Sequence, residues 1–318
     1  MKLLVLLPVL FALIVDALPP PDTLSTNALF YNTTWDGIIF GDFTAQANTQ
    51  RFNGSLAIQG NFTASGFTVN NRHRTINCTG SIEYGLSVGG QIQAQNTVVN
   101  GAVNVSNLTS GITFTDQKCS NHTTSKHVDF NQLYAAATNL SYYLASQRPN
   151  VVIRDGGFLS DGQFDADSNQ EFYIFTFNKC QKKGMCVIPD YLYSSPEHIF
   201  FGTNWTGPWN TGYPIDKRII FNIPILTNST FTMSTNNPAA GLEQADIVYN
   251  LYPVNSTGAY DPQGHFVWFR NTTSFIGSHV LAPKASIIEN NKGGFTGQLI
   301  AAKYLSIDTV YLDDSHAV

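Results

Sequence analysis

Ser55-Leu56-Ala57-Ile58-Gln59-Gly60-Asn61-Phe62-Thr63 lies without a gap over Gly85-Leu86-Ser87-Val88-Gly89-Gly90-Gln91-Ile92-Gln93, at an offset of 30. Leu, Ile or Val, and Phe or Ile recur on every second position, and Gly60 coincides with Gly90. Period-two alternation is strand grammar. Val99-Asn100-Gly101-Ala102-Val103-Asn104-Val105 echoes it more weakly. Near the C-terminus a second repeat runs at an offset of 20: Phe275-Ile276-Gly277-Ser278 over Phe295-Thr296-Gly297-Gln298, with Val280 and Ala282 over Ile300 and Ala302. Short strands returning every 20–30 residues suit stacked coils, each burying its apolar face against its neighbours. An ordinary β-sandwich also alternates, and the imperfect repeats leave it open.

One helix interrupts the strands. Phe130, Leu133, Ala137, Leu140 and Leu144 form an apolar stripe. Asp129 with Gln132 resembles a capping box, and Pro149 lies beyond the end. The spacing predicts a helix over about 129–147 lying on an apolar flank of the coils. The middle, 151–257, reads differently. Its runs Phe172-Tyr173-Ile174-Phe175-Thr176-Phe177 and Ile219-Ile220-Phe221-Asn222-Ile223, with Trp205, Trp209 and several Pro and Gly turns, are expected to form a β-rich, sandwich-like insertion. The predicted fold is mainly β: a discontinuous β-solenoid built from 18–150 and from closing coils at 258–318.

Gly41-Asp42-Phe43, then Leu281-Ala282-Pro283-Lys284-Ala285, then Phe295-Thr296-Gly297-Gln298-Leu299-Ile300-Ala301-Ala302-Lys303, occur in that order, with Val128-Asp129-Phe130 between the first two. This series resembles the choice-of-anchor A family of secreted and surface proteins, over about 27–312. The resemblance implies an extracellular binding or structural module. Where that family often has Trp-Asn-Phe, this chain has Val267-Trp268-Phe269-Arg270. The closing region is also similar to the microbial ice-binding β-solenoids, a likeness of fold. Ice binding would need a flat face with Thr in ranks. Thr227, Thr230, Thr232 and Thr235 cluster, beside a sequon at Asn228.

Lys2, the apolar run Leu3 to Val15 and Val15-Asp16-Ala17 read as a leader over 1–17. The run is too short for a membrane helix, and no second apolar run is present. Charged residues are only 12% of the chain and the net charge is −5, without a basic patch. Nucleic acid is therefore not an expected partner. Asn32, Asn53, Asn61, Asn77, Asn104, Asn107, Asn121, Asn139, Asn204, Asn228, Asn255 and Asn271 each open an N-x-S/T sequon. Together with the leader they point to a eukaryotic secretory route. Cys78, Cys119, Cys180 and Cys186 are expected to form disulfides in that compartment. The most local pairing is Cys78–Cys119 with Cys180–Cys186. Zinc is the rival reading, but C-x5-C with no nearby His is poor metal spacing.

Gly85-Leu86-Ser87-Val88-Gly89 matches G-x-S-x-G, which needs a strand–turn–helix setting; strand alternation follows it instead. Asp161, Asp165, Asp167 and Asn169, with Asp155 and Glu171 close by, crowd a Gly-rich stretch that could hold Ca²⁺, although EF-hand spacing fails and a solvated turn is the plainer reading. Trp205, Trp209 and Tyr213 could stack on a sugar. Asp36 and Asp42 read as turn residues. Sequons are absent after Asn271, so a partner surface is expected on the closing coils around Phe275–Tyr311. The expected function is non-enzymatic, with no cofactor. It is a secreted structural or adhesive role toward extracellular polysaccharide, a matrix or surface protein, or a second copy. Ligand binding, to polysaccharide or ice, is the second reading and a hydrolase the third.

Overall fold

The computed structural model of the chain describes residues 35–46, 50–71, 78–79, 82–106, 110–120, 128–154, 158–161, 172–186, 200, 218–234, 247–273, 275–291, 293–307 and 311–312. The expected leader lies outside them.

Each alternating segment becomes a short strand, and up to three strands make one coil. The first coil is β1 (Gly37–Ile39), β2 (Phe43–Ala45) and β3 (Gln50–Phe52). The second is β4 (Leu56–Ile58), β5 (Phe62–Ser65) and β6 (Phe67–Val69), and the third β7 (Tyr84–Val88), β8 (Ile92–Gln95) and β9 (Thr97–Val99). β10 (Ala102–Val105) and β11 (Ile112–Phe114) begin and end the fourth. The helices α1 (Gln117–Ser120) and α2 (Phe130–Ser146) follow, then an antiparallel hairpin of β12 (Val151–Arg154) and β13 (Phe158–Asp161). β14 (Phe172–Thr176) resumes the coils. Next come β15 (Arg218–Leu226) with β16 (Thr230–Met233), and β17 (Ile247–Val254) with β18 (Phe266–Arg270) and β19 (Phe275–Ile276). β20 (His279–Glu289) with β21 (Gly294–Phe295), and β22 (Leu299–Ser306) with β23 (Tyr311–Leu312), complete the series.

The coils stack in parallel register to give three faces. The first face runs β10-β7-β4-β1-β22-β20-β17-β15-β14, and the third runs β11-β9-β6-β3-β23-β21-β19. On the second face β8-β5-β2 continues into β22, β20, β18 and β16, because the long strands β20 and β22 turn a corner and serve two faces. The last coil therefore lies against the first: Ile38 is opposite Ile300 and Phe43 opposite Tyr304. The chain builds outward from the middle of the solenoid, crosses to the far end and returns. This is the discontinuous β-solenoid expected from the sequence, and the N-terminal offset of 30 holds. The C-terminal offset of 20 is corrected to 19: Ile276 pairs with Phe295 and Val280 with Leu299, so Phe275 faces solvent where Phe295 is buried.

The repeated glycines have a packing reason. A Cβ on Gly60 would stand 2.5 Å from the Gly41 carbonyl, and one on Gly90 would stand 2.6 Å from the Gly60 carbonyl oxygen. Gly41, Gly60 and Gly90 stack backbone on backbone at one corner, which any side chain would prise open. Inside, aromatic rings stack along the axis. Phe43 lies 5.7 Å from Phe62 and 5.0 Å from Tyr304 between ring centroids.

Helix α2 begins where the capping box predicts, with the Asp129 carboxylate accepting from the Gln132 backbone N–H. Its buried Ala137, Leu140 and Leu144 pack on Ile38, Ile300, Leu281, Val248 and Ile220, which point outward from the first face. A buried polar lock fixes its position. Ser141 Oγ donates to Asn250 Oδ1 at 2.7 Å, Asn250 Nδ2 donates to Asn222 Oδ1, and Asn222 Nδ2 donates to the Leu144 carbonyl at 2.7 Å.

The expectation of a sandwich-like insertion over 151–257 is corrected. Among its described strands, β14, β15 and β17 join the first face in parallel register, and β16 joins the second. β12 and β13 alone pair antiparallel. The reason is visible in β15, whose residues Arg218 to Ile225 are all buried. One side meets the solenoid interior and the other meets α2, so alternation disappears and the run reads as uniformly apolar.

Candidate binding face

The second face is open to solvent, and its outward positions form aligned ranks along the solenoid axis. The central rank reads Gln93, Thr63, Thr44, Leu305, Ile288, Phe269, Thr232, each the registered partner of the next. Neighbouring members are about 4.8 Å apart, the parallel-strand spacing. Gln93 is exposed and the others are half-buried. Thus β8, β5 and β2 present hydroxyl and amide groups, β22, β20 and β18 present apolar ones, and β16 returns to Thr.

The polar end is a shallow depression of about 600 Å³. Thr44, Gln46, Thr63, Ser65, Gln93, Gln95 and Ser110 line it, with Ala45, Ala64 and Ala94 among the residues beneath. Along its rim the strands are tied by side chains. Asp42 Oδ1 accepts from the Asn61 N–H at 2.9 Å, and Asn61 Oδ1 accepts from the Gln91 N–H at 2.9 Å. Among the described residues none of the seven lining polar side chains makes a hydrogen bond within the protein, so their donors and acceptors face solvent uncommitted.

Behind the apolar end the interior carries charge. Arg270 and Glu289 are fully buried, with Nη1 to Oε2 at 2.9 Å, and Arg270 Nη1 also donates to the Gly294 carbonyl at 3.0 Å. The guanidinium lies 4.5 Å over the Phe295 ring centroid. Burial pushes the Glu289 carboxyl up to about 7, against the pull of Arg270, which lowers it. Burial likewise raises the Tyr304 phenol well above its ordinary value, with Glu289 adding to the rise.

The sequence-predicted residues fall as follows. Cys78 stands bonded to Cys119 and Cys180 to Cys186, the local pairing. Ser87 is buried in the middle of β7 and accepts from Asn104 Nδ2, so it lacks the exposed elbow that nucleophilic attack needs. Asp161 ends β13; Asp165, Asp167 and Asn169 lie outside the described residues, as do Trp205, Trp209, Tyr213 and Thr235. Among the described residues no group of three or more His, Cys, Asp or Glu converges as a metal site. Asn61, Asn228, Asn255 and Asn271 are exposed; Asn53 and Asn139 are half-buried. Asn104 is buried. Asn32, Asn77, Asn107, Asn121 and Asn204 lie outside the described residues. Thr230 and Thr232 share β16 of the binding face, whereas the Thr227 hydroxyl donates to Asp261. Asp36 is buried at a corner and accepts from the backbone and hydroxyl of Ser55, a structural duty. Phe275 and Ile307 stand exposed on the closing coils.

The sequence reading missed the polar rank itself. The signal was present in the repeat, since Thr63 falls over Gln93 on the outward phase of the alternation.

The sequence model of a family described as "Putative Ice-binding-like adhesive domain" matches residues 31–309. The chain belongs to that family. No curated protein matches the chain. Among solved structures, the ice-binding protein of the Antarctic ascomycete Antarctomyces psychrotrophicus is similar at 10% identity and a TM-score of 0.29, covering 91% of this chain and 97% of that one. Family membership supports a surface- or ligand-binding role. Among the described residues no helix is long and apolar enough to cross a membrane.

Proposed function

We propose that this chain is a secreted, N-glycosylated adhesive protein of an extracellular surface or matrix, non-enzymatic, acting by non-covalent binding through its open second face. The observation that carries the reading is the polar rank Thr44–Thr63–Gln93 with its uncommitted hydrogen-bonding groups. Adhesive family membership supports it. The motif resemblance to the choice-of-anchor A family, the leader-like start and the sequons support extracellular placement. The exposed Asn228, Asn255 and Asn271 are then the natural glycan carriers on the C-terminal coils.

Ice is the less favoured ligand. A crystal plane needs a flat, regular array, whereas this rank is concave at one end and passes through bulky Leu305, Ile288 and Phe269. Fractionation of the protein expressed in its own cells tests the reading. Retention by the wall or matrix that survives salt but yields to denaturant or to a glycan-degrading enzyme is the expected result. A freely soluble protein in the medium would overturn it, and thermal hysteresis in that fraction would establish ice instead.

A further inference from the structure

We propose that the depression over β2, β5 and β8 is a subsite for an uncharged, hydroxyl-rich chain, a neutral polysaccharide laid along the solenoid axis. The inference rests on the adhesive reading and names the ligand class and the half of the face that takes it. Three observations point there. First, the seven polar side chains that line the depression are all uncharged, being three amides and four hydroxyls. A polyanionic glycan would call for Lys or Arg at this surface. At the corner beside it the charge is balanced, with exposed Lys303 next to Gly41 and Asp42, so the edge adds no net cationic field.

Second, those side chains keep their hydrogen-bonding capacity free among the described residues, while the rim residues Asp42 and Asn61 spend theirs on the fold. Amides and hydroxyls both donate and accept, which matches sugar hydroxyls that do the same. Third, the lining is ordered by the coils. Strand spacing of about 4.8 Å sets the step along the axis, and outward positions two residues apart on a strand are about 6.8 Å from each other. The resulting patch has the dimensions of a short oligosaccharide segment. Small Ala45, Ala64 and Ala94 sit beneath it, so the surface dips where the neighbouring coils carry larger side chains. Binding of this kind is weak at each subsite and gains from repetition along a polymer.

The test uses the full secreted chain, enzymatically deglycosylated so that no glycan at Asn61 overhangs the depression. Its retention is measured on insoluble neutral β-glucan and chitin and on an immobilised polyuronate. The comparison is with the triple variant Thr44→Ala, Thr63→Ala, Gln93→Ala and with the control Asn131→Ala, exposed on α2 away from this face. Expected are retention on a neutral polymer, little change between about 0.05 and 0.5 M salt, and a loss of tenfold or more in the triple variant. The control variant keeps its binding. Unchanged melting of the triple variant guards against misfolding. Retention on the polyuronate alone, salt-labile retention, or an unaffected triple variant would each overturn the inference. If that unaffected variant also stays with the wall in the cell fractionation, the adhesive reading stands and only this subsite falls. If the native chain is not retained in either assay, both fall.

Discussion

The two halves of the second face have opposite polarity. In the N-terminal half the interior positions Phe43, Phe62 and Ile92, with Ala45, Ala64 and Ala94 beyond them, are apolar, and the exterior rank is Thr and Gln. In the C-terminal half, at the same register, the interior holds Tyr304, Trp268, Ser306 and the Arg270–Glu289 pair, and the exterior rank is Leu305, Ile288 and Phe269. One ladder therefore supports two arrangements. A solenoid coil needs only that its interior be filled and its polar groups paired; which side carries the polar side chains is free to vary. The half that keeps its polar groups outside uncommitted is the half suited to a hydroxylated ligand.

The largest test of this contrast is the interior charge. Arg270→Met leaves Glu289 buried without its partner, and such a loss costs about 3–5 kcal/mol. Urea unfolding monitored by circular dichroism measures it. The double variant Arg270→Met, Glu289→Leu gives the C-terminal half the apolar interior of the N-terminal half. It is expected to recover most of the lost stability. A single variant as stable as the parent would show that the two interiors do not differ in the way described.

The first face repeats the contrast, since α2 covers its C-terminal half. Ile38, Ile300 and Leu281 lie under the helix, whereas Ala57, Ser87 and Asn104 continue the same rank beyond β1. Leu140→Ala opens a cavity under α2 and is expected to cost about 2–4 kcal/mol by the same unfolding measurement.

The pH dependence also belongs to the C-terminal half. The folded-state Glu289 carboxyl is raised from 4.5 to about 7, so between those values the folded chain holds a proton that the unfolded chain has released. Its contribution to stability is fully present below pH 4.5 and is lost as pH rises toward 7, with a slope of at most about 1.4 kcal/mol per pH unit. Melting curves of the parent and of Glu289→Gln across that window measure it. The variant, which has no carboxyl to titrate at that position, is expected to show a flatter profile.

Much of this architecture is legible in the sequence, for local reasons. The offset repeat gives the N-terminal coils because Gly60 and Gly90 must stack and the phase of alternation is kept. The stripe Phe130 to Leu144 and the Asp129 cap give α2, and closeness in sequence gives the cysteine pairs. The coils in 151–257 are not legible, because β15 and β17 are buried on both sides and lose the alternation that marks a strand with one wet face. The binding face was half-legible. Its Thr and Gln stand in the repeat, but their uncommitted hydrogen bonds appear only when neighbouring coils are seen to leave them free.

The smallest effect on stability should accompany an informative effect on binding. Leu305→Thr with Ile288→Thr carries the polar rank from Thr44 two strands further, across half-buried positions whose side chains point to solvent. Threonine suits a strand and keeps the β-branch of Ile288, and both sites are only half-buried, so stability should shift by about 1 kcal/mol or less per site. If the exterior of each half is set independently of its interior, the variant folds with its Arg270–Glu289 pair intact and its retention on neutral polysaccharide rises as the ligand gains contacts. If the apolar exterior is instead required above a charged interior, the variant melts several degrees lower and gains nothing. Melting temperature and polysaccharide retention, measured on the same preparation, separate the two.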